Sequence, residues 1–593
     1  MDTSSILPRL IPTAIPPVVV RFASRFLGFD ELGRTYSALQ SLDSDEPFTK
    51  RVLDQLEIAY RVAPADLDHV PRKGATVVVA NHPFGILEGA VLADALGILR
   101  PDVRFLANSV LSIIPELRNL VIPVDPMGGA VAGNPSGMRA AIEHLRHGGL
   151  LVVFPAGEVS HFQWTEKGST DPEWNPAVAR MLSIASRFHV DTTVVPLFVD
   201  GANSALFQMA GVIHPKLRTA LLARELMNKR GAVVRLRIGK PVSSSKLRQM
   251  PSDEDRIAYL RWRTYLLAKR ENVRPHTSAP LVARRPRSHR QNADIAPAVS
   301  PDVLQAEVNA LPSNALLAQS GDLKVYMADA SNIPSTLTEI GRLREITFRA
   351  AGEGTGRALD LDAFDSHYLH LFVWNSRKNE VVGAYRLMST DLGPSKLYTN
   401  TLFHFGEEFL HRMGPALELG RSFIRSESQK GFAPLLLLWK GIGKYIAQNP
   451  RYKVLFGPVS ISNQYQSISR ELMISFLERS ASLPDWTNLV RARNAPTRDV
   501  RVMKTSLCRD IEDLSDAVSD IEPSQAGIPV LLRQYLKLGG RLLSFNVDTD
   551  FSNALDGLIV VDLLKSEPKL LDRYLGRNEA SALLNFHAEM RAL

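Results

Sequence analysis

The stretch Asn81-His82-Pro83-Phe84-Gly85, with Glu88 close behind, sets an imidazole and a carboxylate at the exit of an apolar run, Thr76-Val77-Val78-Val79-Ala80. That is the layout of a general base: the imidazole takes a proton from an acceptor while the carboxylate orients it and balances the imidazolium. Pro83 biases His82 away from helical backbone, Gly85 permits a tight turn, and residues 86–96 read as the helix that follows. His82 is thus expected at a strand-to-helix corner that a substrate can reach. A second corner comes at Leu150-Leu151-Val152-Val153-Phe154-Pro155-Ala156-Gly157-Glu158-Val159-Ser160, and a third apolar strand runs through Val194-Val195-Pro196-Leu197-Phe198-Val199. Asn81, Gly85, Phe154, Pro155, Gly157 and Glu158 are the candidate substrate-binding residues around His82, with backbone donors near Gly157 suited to an oxyanion.

This succession, over roughly residues 50–245, resembles the glycerolipid acyltransferases. Their blocks are Asn-His with an acid five residues after the His, then Phe-Pro-Glu-Gly-Thr-Arg, then an apolar strand carrying Pro. Here position 87 is Leu and the acid arrives one residue later as Glu88, while the second block reads Phe-Pro-Ala-Gly-Glu-Val. In the family, the acid and Arg of that block help hold an acceptor phosphate. Ala156 and Val159 stand in their places, which argues against a glycerol-phosphate acceptor.

A chain of 593 residues exceeds one ordinary core and implies two domains, or three. With 45% hydrophobic and 22% charged residues the composition is globular, and no apolar run reaches the ~18 residues of a membrane-spanning helix. Cys508 is the single cysteine, which excludes an intramolecular disulfide and a Cys-based metal site and fits a reducing cytoplasm; no metal is expected. Residues 1–20 carry four prolines and make a poor secretory signal. Much of the net charge of +8 is local: between His214 and Arg248 ten Lys or Arg face one acid, Glu225. Such a segment suits an anionic membrane surface or an acidic carrier protein. Nucleic acid is disfavoured, because no recognised binding motif or aromatic stacking pattern accompanies the charge. Near the amino terminus Val18, Phe22, Phe26 and Phe29 recur at helical spacing beside Arg21 and Arg25, a pattern equally suited to an interfacial helix or to one packed on its own domain.

From 271 to 320 periodicity gives way to Pro, Ala and Arg, which reads as an interdomain linker between a domain over 1–270 and another over 321–593. Both halves alternate apolar strands with amphipathic helices, so the fold class is α/β throughout. In the second half, strands are predicted at 323–327, 369–374, 381–387, 416–421 and 454–459, with helices at 333–350 and 435–447. Arg344 and Phe348 fall in the first helix, Asp362 and Asp365 in Leu-Asp-Leu-Asp-Ala-Phe-Asp, Arg386 in Val-Val-Gly-Ala-Tyr-Arg-Leu, and Glu418 and Arg421 in Glu-Leu-Gly-Arg-Ser. This ordered set, with an extension through Asn546-Val-Asp-Thr-Asp-Phe551, resembles the GNAT superfamily, particularly the ornithine N-acyltransferases. The resemblance implies Glu418 as base or amine anchor, and Arg344, Arg386 and Arg421 as ligands of an amino-acid carboxylate or a carrier phosphate. The superfamily's pyrophosphate loop survives only weakly, at Gly431 and Ala433, which suits a donor on acyl carrier protein more than coenzyme A.

The expected architecture is therefore a glycerolipid-acyltransferase-type α/β domain followed by a GNAT-type α/β domain. The whole chain is similar to the bifunctional ornithine-lipid synthases. That similarity implies N-acylation of an amino acid, ornithine foremost, with a 3-hydroxyacyl group by the second half, then O-acylation of the hydroxyl by the first. It also implies acyl carrier protein as donor, with acyl-coenzyme A as the alternative, no tightly bound cofactor, a lyso-aminolipid intermediate, and a peripheral place on the cytoplasmic side of a bacterial inner membrane. Two other readings remain: a lysophospholipid acyltransferase with a silent GNAT half, and a membrane-associated binding protein.

Overall fold

The computed structural model describes residues 25–41, 45–124, 135–164, 166–213, 215–271, 292–429, 431, 433–497 and 505–592. It divides into two compact units, one comprising residues 1–272 with 519–525 and the other 273–518 with 526–593.

The first unit is built on an eight-stranded sheet. Its strands run in the order Ala59–Val62, Val233–Ile238, Thr193–Asp200, Thr76–Ala80, Leu150–Val153, Val103–Asn108, Val121–Val124, with the short Val242–Ser243 strand beside Thr193–Asp200. The centre is parallel, Thr76–Ala80 lying between Leu150–Val153 and Thr193–Asp200. A parallel sheet covered on both faces requires apolar side chains at every position, which is why Thr76–Ala80 reads as a continuous run. Val78 and Ala80 enter one core with Leu92, Leu96 and Val195, whereas Val77 and Val79 enter the opposite core with Leu145, Met181 and Leu260. Both acyltransferase-like corners thus leave the same end of adjacent parallel strands, where open α/β sheets bind ligands.

The second unit carries another eight-stranded sheet, in the order Leu316–Ser320, Leu323–Asp329, Leu369–Asn375, Glu380–Ser389, Ala416–Ile424, Val454–Ile461, Ala554–Asp562, Arg541–Asp548. Every pairing is antiparallel except that of Ala416–Ile424 with Val454–Ile461, which are joined through the Ala433–Gln448 helix. The predicted elements of this half are all present; the strands and the second helix extend one to three residues further at an end, and the first helix, Pro334–Ala350, begins one residue later.

The parallel pair holds only over Ala416–Glu418 and Val454–Phe456, and beyond that the two strands part. Gly457 stands where they separate; a Cβ there would lie 2.1 Å from the Leu419 carbonyl oxygen. On the other edge, Arg386 pairs with Gly420 and Ala384 with Phe423, so Arg421 and Ser422 face the single Tyr385 in a β-bulge. Bulges re-aim side chains, and Arg421 adopts φ 50° there.

The linker expectation needs correction. Residues 272–291 lie outside the described residues, but Pro301–Asn309 is a helix, and Leu304 and Val308 are buried with Ile340 and Leu343 in the core of the second unit. Leu316–Ser320 is a strand of its sheet. The spacing Leu304, Val308, Leu311 is that of an apolar helix face, hidden in the sequence by the surrounding Pro and Ala. The expected amino-terminal helix also falls partly out of view: Val18, Arg21 and Phe22 lie outside the described residues, and the helix observed is Phe29–Gln40.

The parting of the strands yields a stability prediction. Gly457→Ala forces its methyl against the Leu419 carbonyl and is expected to destabilise the second unit by about 1–3 kcal/mol, read as a lower urea midpoint at unchanged slope. An unchanged midpoint contradicts the close approach.

Candidate functional site

In the first unit His82 leaves the Thr76–Ala80 strand and its Nδ1 lies 2.7 Å from Glu88 Oε1. The same Glu88 oxygen accepts the backbone N–H of Phe84 at 3.0 Å and of Gly85 at 2.8 Å. Gly85 adopts φ 95°, the left-handed region, and this turn folds the chain so that an acid six residues after the His still reaches the ring. The displaced acid is therefore no departure in geometry. Bonding to Nδ1 leaves Nε2 as the nitrogen available for a substrate proton. Phe154 stacks on the imidazole with centroids 4.4 Å apart.

Burial pulls the His82 pKa down, but the Glu88 charge and hydrogen bond, with Asp171 behind them, outweigh it and hold it above its ordinary value. Burial pushes Glu88 up, and His82 with the turn amides brings it below the usual carboxylate range. The pair is poised with Glu88 ionised and His82 a strengthened base.

Asp171 was not visible as a site residue in the sequence. Its Oδ1 accepts the His82 backbone N–H at 3.1 Å and the Ser160 hydroxyl at 2.5 Å, and its Oδ2 accepts the Trp174 indole at 2.8 Å. Ser160 N–H in turn donates to the His82 carbonyl at 2.8 Å. Asp171 thereby ties the two corners together; it lies 89 residues beyond His82 and carries no motif, so no spacing signal marks it.

Other first-half candidates divide. Asn81 is held by Val199, donating to its carbonyl at 2.9 Å and accepting its N–H at 2.7 Å, so it staples two strands where their pairing ends. Gly157 donates its amide to Phe154 O at 3.1 Å, which commits the expected oxyanion donor to a turn. Glu158 pairs with Arg218 at 3.0 Å. Arg218, read in the sequence as surface charge, is buried and restores a guanidinium beside a block that has lost its own. Gly85, Phe154, Pro155, Gly157, Glu158 and Arg218 line, with His82, a cavity of about 1060 Å³ whose remaining wall is mostly apolar, including Leu32, Tyr36, Val52, Leu111 and Met181. That size and lining suit a lipid chain.

In the second unit the acidic and basic candidates form one buried network. Arg386 holds Asp362 bidentately at 2.7 and 3.0 Å and Asp365 at 3.1 Å, while Arg344 donates to Asp365 at 2.7 Å. Asp362 and Asp365 also form a capping box. Burial raises the Asp365 pKa, but Arg344 and Arg386 drive it well below the carboxylate range. Both arginines are fully buried, and each is committed to these acids.

Glu418 is likewise satisfied internally. It accepts the Tyr368 hydroxyl at 2.5 Å and the backbone N–H groups of Tyr398 and Thr399 at 3.1 and 2.7 Å. Burial raises its pKa against these donors. The arrangement anchors the Tyr398 turn rather than presenting a base.

Arg421 and Phe348 line a cavity of about 60 Å³ at the parting of the strands, with Tyr398, Asp548 and Asp556, and Arg421 also faces Asp360 at 3.5 Å and Asp362 at 3.8 Å. Arg421 lies over the rings of Tyr398 and Phe551, at 4.9 and 4.6 Å. Tyr398 donates its hydroxyl to Asp548 at 2.9 Å. Ala433 opens the Ala433–Gln448 helix, with Gly431 just before it; residues 430 and 432 lie outside the described residues. Among the described residues no cluster could hold a metal ion, and no helix is long and apolar enough to cross a membrane.

These two sites match known families. The Acyltransferase family profile matches residues 14–273, and the Acetyltransferase (GNAT) domain profile matches residues 343–440. The chain is 31% identical over 297 residues to a Glycine N(alpha)-acyltransferase of Bacteroides thetaiotaomicron, covering 46% of this chain and 87% of that protein. It is 30% identical over 275 residues to a protein of the same name in Phocaeicola vulgatus, covering 43% of this chain and 84% of that one. A Lyso-glycine lipid O-acyltransferase of Bacteroides thetaiotaomicron is 25% identical over 240 residues, 38% of this chain and 82% of that one. The protein is an acyltransferase that fuses an acyltransferase domain to a GNAT domain, with O-acyl and N-acyl transfer. It belongs to the family of these glycine N(alpha)-acyltransferases.

The His82–Glu88 geometry fixes the sign of a pH effect on O-acyl transfer. The base is active when neutral, so the rate falls as pH drops through a midpoint above the ordinary His value of ~6.5. Glu88→Gln removes the charge that raises this midpoint and is expected to shift the acid limb to lower pH while lowering the plateau rate, by ~10²–10⁴ if base catalysis is largely lost. A limb that stays in place in that variant excludes the pair.

Proposed function

We propose that the chain is a bifunctional aminolipid synthase. The GNAT unit transfers a 3-hydroxyacyl group from acyl carrier protein to the α-amine of an amino acid, ornithine in our reading. The first unit then acylates the 3-hydroxyl. One observation carries this: a His–Glu base opening into a large apolar cavity in one unit, and a charged pocket where two strands part in the other. The first suits a lipid hydroxyl, the second a small zwitterion.

In the first reaction, the strand edges freed at the parting offer amides to an extended pantetheine arm, and Arg421, faced by Asp360 at 3.5 Å and Asp362 at 3.8 Å, is the guanidinium on the cavity wall that receives the amino-acid carboxylate. In the second, His82 Nε2 takes the hydroxyl proton as oxygen attacks the thioester. Glu88 balances the imidazolium, Asp171 holds the corner, and the proton passes to the departing thiolate. The glycine-lipid relatives support a two-step aminolipid route in which these reactions are carried by separate proteins.

Peripheral binding to the cytoplasmic face of an anionic inner membrane is part of the proposal. Phe162, Trp164, Leu206, Met209 and Leu217 expose large apolar side chains on the first unit. The Phe162 amide bonds Gln208, which places the 161–170 hairpin beside the Ala205–Ile213 helix. Arg224 lies over exposed Phe26 at 4.6 Å. Not all of the basic segment takes part, since Arg218 and Arg237 are buried.

In a host lacking other such enzymes, His82→Ala is expected to accumulate monoacyl aminolipid and no diacyl product by mass spectrometry of lipid extracts. Diacyl product at parental level removes His82 from the mechanism, and altered phospholipid chains without any aminolipid favour the lysophospholipid reading. Trp164→Ser with Met209→Ser is expected to weaken sedimentation with anionic vesicles at least tenfold; unchanged binding across a salt series dismisses this surface.

A further inference from the structure

Among the described residues, Asp556 is the carboxylate of the second site that the network leaves without a partner. It is 4% exposed, lines the cavity at the parted strands, and receives no hydrogen bond among the described residues. Its neighbours are acidic. Ser460, directly opposite Asp556 on the adjoining strand, donates its hydroxyl to Glu353 at 2.7 Å, and Asp548 closes the cavity from the next strand.

A buried carboxylate beside two others is unfavourable unless a cation reaches it. Burial, Asp548 and Glu353 all push the Asp556 pKa far up, and Arg421 opposes them only in part; burial also raises Glu353. Arg421 is the cation on the cavity wall, and Asp360 at 3.5 Å and Asp362 at 3.8 Å already face it. With that charge already shared, Asp556 and Asp548 line the remaining space and Glu353 holds Ser460 of the same lining, so a substrate carboxylate on Arg421 adds to an excess of acid. A zwitterion such as glycine brings one amine, which becomes an uncharged amide. The acids are then left without a counter-charge. A diamino acid brings a second, permanent ammonium.

We propose that Asp556, with Asp548 and Glu353, is the specificity subsite that holds the side-chain ammonium of a basic amino acid and so separates this chain's acceptor from glycine. The inference rests on reading the GNAT unit as an amino-acid N-acyltransferase. Asp548 is positioned for the task by Tyr398 and by the backbone amides of Asp550 and Phe551, at 2.9 and 3.2 Å. Asp556 is free to turn to the ligand.

The test uses the full-length protein with 3-hydroxyacyl carrier protein and three acceptors: ornithine, norvaline, which has the same carbon chain without the side-chain amine, and glycine. The parent is expected to favour ornithine over norvaline at least a hundredfold in kcat/KM. Asp556→Asn, which keeps size and polarity, is expected to lower ornithine kcat/KM at least tenfold through KM while leaving norvaline within twofold. Equal loss on both acceptors makes Asp556 a general base or a folding residue and overturns the subsite; a circular dichroism melt and intact O-acylation of synthetic lyso-aminolipid separate those two. A parent that prefers glycine or norvaline also overturns it, while leaving the N-acyltransferase reading in place. A parent that acylates none of the three refutes that reading and the subsite with it.

Discussion

A carboxylate taken out of water must be given hydrogen-bond donors or a counter-ion, and both sites are organised by that requirement. Glu88 is fully buried, and the donors it recruits are the Phe84 and Gly85 amides and the His82 ring. Satisfying the acid therefore shapes the turn and orients the base at once. Asp171 does the same for the corner from behind, and its raised pKa, caused by burial against the opposing donors, marks how much of its charge is at risk there. In the second unit Glu418, Asp362 and Asp365 meet the requirement through Tyr368, two turn amides, Arg344 and Arg386. Among the described residues nothing meets it for Asp556, and in the proposal a ligand's ammonium supplies the missing partner.

The first-half corner was legible because its chemistry and its fold use neighbouring residues. An apolar strand, a His before Pro, a Gly and an acid are local, and local signals survive in sequence. The acid's later position looked like a departure, yet the left-handed Gly85 turn absorbs it. What sequence could not give were partners brought by topology. Asp171 reaches His82 across the sheet end, and Arg218 comes from a separate helix to sit against Glu158. In a basic segment Arg218 looks like every other arginine; only folding buries it.

The second half shows the opposite case. Strand positions, helix positions and the residues Arg344, Asp362, Asp365, Arg386, Glu418 and Arg421 were all marked in sequence, but marking did not separate scaffold from pocket. Buried ion pairs between like-sized clusters of Arg and Asp hold structure as readily as they hold substrate. Arg421 differs because a two-residue bulge turns it to the parted strands, an irregularity of register with no sequence signature. Glu353 and Asp556 carry no motif, and the three apolar residues at helical spacing that end the apparent linker are diluted by Pro and Ala.

The proposed reaction order is two separate acyl transfers on one amino acid. It is tested most directly by a time course with the purified full-length protein, isotope-labelled ornithine and acyl carrier protein loaded with 3-hydroxyacyl and acyl groups. Labelled monoacyl product is expected without delay, followed after a lag by diacyl product at its expense. Diacyl product with no monoacyl precursor, or label that never enters lipid while lysophospholipid is acylated, contradicts it.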